Sequence, residues 1–168
     1  MNNILKNKKI NKKGVALAEA IVSVFVLSII LMVLISANNL YIKSADLNML
    51  SAQAAFLSEE GIEATHTIID RSWESFSVLS TSTPYYLYFS TTSSSWGVVT
   101  STSSATQTGI FTRRINIYPV SRDVDHKIVT SGGTNDDNTR RVVSEISWSD
   151  KGQSKTKSLT IYFTNLEN

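Results

Sequence analysis

Residues 20–42 read Ala-Ile-Val-Ser-Val-Phe-Val-Leu-Ser-Ile-Ile-Leu-Met-Val-Leu-Ile-Ser-Ala-Asn-Asn-Leu-Tyr-Ile, 23 positions without a formal charge. A helix needs roughly 20 apolar residues to cross the hydrocarbon of a bilayer, so this run is long enough to span one. No other stretch constrains the fold as strongly, because a helix that is apolar on every side has to be covered by lipid or by protein. Ahead of it stand Lys6, Lys8, Lys9, Lys12 and Lys13, with no acid among them. Lysines flanking a span stay on the cytoplasmic side, which predicts an N-terminus inside and about 125 residues sent outward. The expectation is a single-pass protein of the cytoplasmic membrane with its C-terminal domain outside.

One carboxylate breaks the pattern. Glu19 opens the apolar run, where charge is expensive unless it meets a partner and an ionisable side chain is by default a functional feature. Lys12-Lys13 directly precede Gly14, the apolar run directly follows it, and Glu19 is the fifth residue after the glycine. This arrangement resembles the class III signal of type IV pilins and pseudopilins, in which a membrane peptidase cuts after the glycine on the cytoplasmic side. The resemblance implies a cleaved leader over residues 1–14, N-methylation of the new terminus at Val15, and an apolar helix kept as the core of a filament. It also implies partners: the prepilin peptidase, other pilins and an assembly platform, in a type IV pilus or a type II secretion-like filament. Val15-Ala16 stand where family members usually carry Phe or Met and then Thr or Ser, which favours a minor pilin or pseudopilin.

The role of the glutamate follows from electrostatics as well. Cleavage after Gly14 leaves an α-amino group on Val15. An ammonium and a carboxylate from neighbouring subunits neutralise each other in an apolar medium, where a charge with a partner is tolerable and one without it is not. Gly14 and Val15 are therefore the candidate processing residues and Glu19 the candidate assembly residue. Two plainer readings compete. A secretory signal has an apolar core of about 7 to 15 residues and a small-residue cleavage site; Ile35-Ser36-Ala37 before Asn38 would serve, but the run is longer than that and contains Glu19. An uncleaved anchor explains length and lysines and leaves Gly14 and Glu19 without a purpose.

The length of 168 residues suggests one domain, divided into a leader over 1–14, a membrane or filament-core half of the helix over 15–43, and a globular head over 44–168 that includes the helix's second half. The formal charge of +2 changes sign on processing: five of the 16 basic residues leave with the leader, so that 11 face 14 acids. No basic field remains for nucleic acid, which makes it an improbable partner. Without cysteine the exported part carries no disulfide, and thiol catalysis and thiolate metal ligation are excluded.

Beyond Asn39 no proline or glycine stops the helix until Gly61. Leu50, Ala54, Leu57, Ala64 and Ile68 recur at helical spacing, widened by Ala55, Ile62 and Ile69, so one stripe of an amphipathic helix is predicted to about Asp70. At 1.5 Å per residue a helix over 15–70 would be about 84 Å long. Residues 73–86 read as a transition closed by Pro84. Strands are predicted at Tyr85-Tyr86-Leu87-Tyr88-Phe89, at Trp96-Gly97-Val98-Val99-Thr100, around Phe111, Ile115 and Ile117, at residues 126–130, around Val142, Ile146 and Trp148, and around Leu159, Ile161 and Phe163. Hydroxyl-rich loops fall at 90–95 and 101–108, and Ser149-Asp150-Lys151-Gly152-Gln153 is a hairpin connection. An antiparallel meander must cover its apolar face, and the helix stripe is the cover at hand. The predicted class is α+β: a long N-terminal hydrophobic helix packed on an antiparallel sheet, as in pilins.

Chemistry-bearing patterns are sparse. His66 and His126, the two histidines, lie in no triad order or metal-ligand spacing, and no nucleophile elbow, phosphate loop or zinc motif is present, so no enzymatic activity and no cofactor are expected. Glu59, Glu60 and Glu63 read as a solvated helix face. Oxygen-rich loops bind calcium, as a C-terminal loop of some major pseudopilins does. Asp123, Asp125, Asn135, Asp136, Asp137 and Asn138 are the residues a calcium site would draw on here, although they flank Ser131-Gly132-Gly133-Thr134, a flexible hairpin, and form no complete loop signature. The alternative function is a membrane-anchored extracytoplasmic module for adhesion, other binding or DNA uptake.

Overall fold

The computed structural model describes residues 12–81, 83–102, 105 and 108–166. Its elements are helices α1 (Lys12–Arg71) and α2 (Trp73–Ser77) and strands β1 (Tyr86–Ser90), β2 (Ser95–Val99), β3 (Thr112–Arg122), β4 (Ile128–Val129), β5 (Thr134–Asp150) and β6 (Gln153–Thr164). The chain divides into two units, Met1–Asn48 and Met49–Asn168. Of the leader, residues 1–11, with Lys6, Lys8 and Lys9, lie outside the described residues.

In the first unit α1 is continuous, and every position from 14 to 48 is exposed. The helix is long and apolar enough to cross a membrane. Three serines interrupt its apolar run. Ser23, Ser28 and Ser36 donate their hydroxyls to the carbonyls of Glu19, Val24 and Met32, one turn back, at 2.8, 2.8 and 2.9 Å. Each hydroxyl is thus satisfied within the helix, as a hydrocarbon environment requires.

In the second unit the remainder of α1 lays one stripe on a sheet. Ala54, Ile62 and Ala64 are buried, with Leu50, Leu57, Ile68 and Ile69 packed around them, which is the stripe that the helical spacing predicts. Gly61 is buried too. A Cβ built on it would collide with the Ser144 hydroxyl and stand 3.1 Å from Arg113 Cδ. The glycine therefore marks a close approach of the helix to β5.

Ser72 ends the long helix with an extended backbone (φ −165°) and caps α2, accepting the Ser75 N–H at 3.1 Å. The sequence suggests only an irregular connection here, since five residues are too few to show a period. α2 exists because Phe76, 1% exposed, anchors it in the core.

The strands form two antiparallel sheets, β1-β2 and β4-β3-β5-β6, rather than one meander. The two sheets meet at Tyr85, which exchanges both backbone hydrogen bonds with Ile115 at 2.9 and 2.7 Å. β4 is shorter than expected because residues 123–127 form a turn. Asp123 Oδ1 accepts the N–H groups of Asp125 and Lys127, both at 2.9 Å, and His126 sits at φ 61°. The β3–β5 register shifts between Pro119 and Val120: Pro119 opposes Arg140 and Val120 opposes Asp136, which bulges residues 137–139 out of the ladder. The β5–β6 hairpin turns through Lys151 (φ 49°) and Gly152 (φ 81°), two consecutive positive φ values that match the strands' twist.

The core gathers Phe76, Leu87, Ile115, Ile117 and Val142, with Ile146 in a second cluster beside Ala54 and Phe111. Full burial of each such side chain stabilises the fold by about 1.5–3 kcal/mol. The architecture is α+β, one long apolar N-terminal helix packed on antiparallel sheets.

Candidate functional site

Gly14, Val15 and Glu19 all lie on α1, in its exposed first unit. Gly14 has an ordinary helical backbone, and a Cβ built on it meets nothing within 4 Å. Among the described residues its small size therefore has no packing role. Val15 and Glu19 stand one turn apart, i and i+4, on one face of the helix. An amine created at Val15 and the Glu19 carboxylate would be presented side by side. Glu19 is exposed and has no side-chain partner among the described residues. From residue 20 to residue 42 the helix that follows it carries no formal charge.

The second unit holds a charged group that the strand pattern of β3 did not single out. Arg113 shares a face with Phe111, Ile115 and Ile117, and is 5% exposed. Its guanidinium is 3.2 Å from Glu60 Oε2, donates to the Leu57 carbonyl at 3.4 Å, and lies 5.5 Å from the Trp96 ring centroid. Glu60 is thus part of the helix–sheet contact rather than a purely solvated residue. The period-two parity of residues 111–117 was the available signal, but the carboxylate that makes burial tolerable sits 53 positions away.

The oxygen-rich segment is differently arranged from a calcium loop. β5 starts at Thr134, so Asn135, Asp136, Asp137 and Asn138 belong to a strand and its bulge. Asp136 accepts from Arg122 Nε at 2.6 Å, and this guanidinium, with the Thr139 hydroxyl, holds the carboxyl below its ordinary value. Arg122 also donates to the His126 carbonyl at 2.9 Å. Asp123 is occupied by its turn, and Asp125 lies 3.6 Å from Lys127 Nζ. Among the described residues no group of three or more His, Asp or Glu is placed to hold a metal ion.

His66 pairs with Asp70 (3.3 Å) and stacks on Phe163, their centroids 5.6 Å apart, beside a groove that also touches Trp73 and Leu166. Ser72, at the same groove, uses its hydroxyl to cap α2. His126 stands in the turn after β3 and is not brought near His66's groove. Comparison with models of protein families, with curated proteins and with solved structures found no match to this chain.

Proposed function

We propose that this chain is a non-enzymatic subunit, a minor pilin or pseudopilin, of a type IV pilus or type II secretion-like filament. Inserted N-in across the cytoplasmic membrane, it is cut after Gly14 by a prepilin peptidase and assembled through α1. The observation that carries this reading is an apolar helix segment exposed over residues 14–48, with one carboxylate, unpartnered among the described residues, five residues after Gly14. In the membrane, lipid covers the helix; in the filament, other copies' helices do. Both surroundings are apolar, so the transfer yields little hydrophobic energy, and packing together with the Glu19–Val15 amine pair supplies selectivity.

The deciding experiment is mass analysis of the protein's N-terminus from the cell envelope. A chain beginning at Val15, with or without a methyl group, is the expected result; one beginning at Met1, or beyond the apolar helix, overturns the filament reading.

A further inference from the structure

The outward side of α1 in the second unit is acidic around one exposed ring. Opposite the buried stripe, residues 52, 53, 56, 59, 60, 63, 66, 67 and 70 face solvent. Phe56 is 71% exposed. A solitary surface aromatic is ordinary, but Phe56 sits one and two turns before Glu59 and Glu63, and no lysine or arginine shares that face. Glu60 and Asp70 have partners in Arg113 and His66, whereas Glu59 and Glu63 have none among the described residues.

The same unit carries the complementary charge elsewhere. Lys151 is exposed at the tip of the β5–β6 hairpin, Lys155 and Lys157 follow on β6, and Asp150 is the one acid among them. Lys157 is held by Ser51, donating to its carbonyl at 3.3 Å and contacting its hydroxyl at 3.2 Å. That leaves Lys151 exposed at the tip, and Lys155 half-buried with no ion-pair partner among the described residues.

We infer that the Lys151–Lys155 hairpin of one copy docks on the Phe56–Glu59–Glu63 face of α1 in the next copy. A lysine stem fits over an exposed ring while its ammonium reaches the flanking carboxylates, combining apolar cover, cation–π attraction and ion pairing. The two patches are different parts of one subunit, so the contact is head-to-tail. Such a contact propagates an open chain instead of closing a two-fold dimer. This inference rests on the filament reading and names the head contact within it.

The natural absence of cysteine allows a clean test in cells expressing the full chain. Gln53→Cys and Gln153→Cys place thiols beside the two patches without touching the proposed charges. With a short bis-maleimide, the double variant is expected to give a ladder of dimers, trimers and higher species, and each single variant only monomer. Reversing Lys151→Glu with Lys155→Glu should reduce species beyond dimer by about ten-fold, and adding Glu59→Lys with Glu63→Lys should restore them. Dimers from either single variant, or a ladder indifferent to charge reversal, overturn the contact. A sedimenting polymer without a ladder overturns it and leaves the filament reading in place. Neither polymer nor ladder removes both, and a ladder without a sedimenting polymer keeps the contact and removes the filament.

Discussion

Gly61 on α1 stands directly against Ser144 on β5, closer than a side chain on the helix would permit. Glycine within a helix usually costs about 1 kcal/mol relative to alanine, so Gly61→Ala would be stabilising at an open position. Here the added methyl enters the Ser144 hydroxyl, and overpacking of that kind costs about 1–3 kcal/mol. Gly61→Ala is expected to lower the midpoint of chemical unfolding, and Gly61→Ala with Ser144→Gly to recover most of the loss. An unchanged midpoint in the single variant would show that the helix shifts at little cost.

Ser144 Oγ is buried with no hydrogen-bond partner among the described residues. Ser144→Ala removes an unsatisfied hydroxyl while keeping the volume of its Cβ, and should be neutral or stabilise by up to about 1 kcal/mol in the same denaturation experiment. A clear destabilisation would mean that the hydroxyl has a partner in solution.

Arg113 and Glu60 should behave asymmetrically. The arginine side chain is 3% exposed and the glutamate side chain 47%. Glu60→Ala strands a buried guanidinium and is expected to cost about 1–3 kcal/mol, whereas Arg113→Met leaves a carboxylate that water can solvate and should cost less. The reverse order of midpoints would contradict this account of the contact.

Asp136 ties stability to acid pH. Its carboxyl is held below the ordinary value of 3.8, first by the Arg122 hydrogen bond and then by Thr139. A carboxylate with a depressed folded pKa contributes fully above the ordinary value, and its contribution is lost as pH falls from there through the folded value. With the Arg122 and Asp136 side chains 30% and 17% exposed, the contribution is about 1 kcal/mol. Unfolding curves should show this extra loss below about pH 4, and Asp136→Asn should remove that slope while lowering stability at neutral pH. An identical acid slope in the variant would assign the effect to other groups.

On the proposed filament reading, Gly14→Ala leaves the leader attached, seen as an unprocessed band, while Glu19→Ala is processed and fails to enter filaments. Since a Cβ at Gly14 meets nothing within 4 Å, loss of cleavage would reflect recognition rather than misfolding. Normal cleavage of the first variant or normal incorporation of the second would count against the respective role.

Local patterns made much of the α+β arrangement legible. The charge-free run over residues 20–42, the stripe from Leu50 to Ile69, the alternation in β6 and the Lys151-Gly152 turn are short-range signals, because helix and strand periods recur within a few residues. Gly14, Val15 and Glu19 were legible as candidates for the same reason, being defined by spacing along one helix. What needed the tertiary structure was every feature whose reason lies far along the chain. Gly61 read as an interruption until Ser144 was brought against it. Arg113 could enter the core face only with Glu60 and Trp96 beside it, and Asn135 to Asn138 became strand and bulge when Arg122 supplied a counter-charge to Asp136. Sequence alone determined which segments are apolar and with what period; folding decided which charges are buried and how closely the backbones approach, since both depend on partners that chain order does not place side by side.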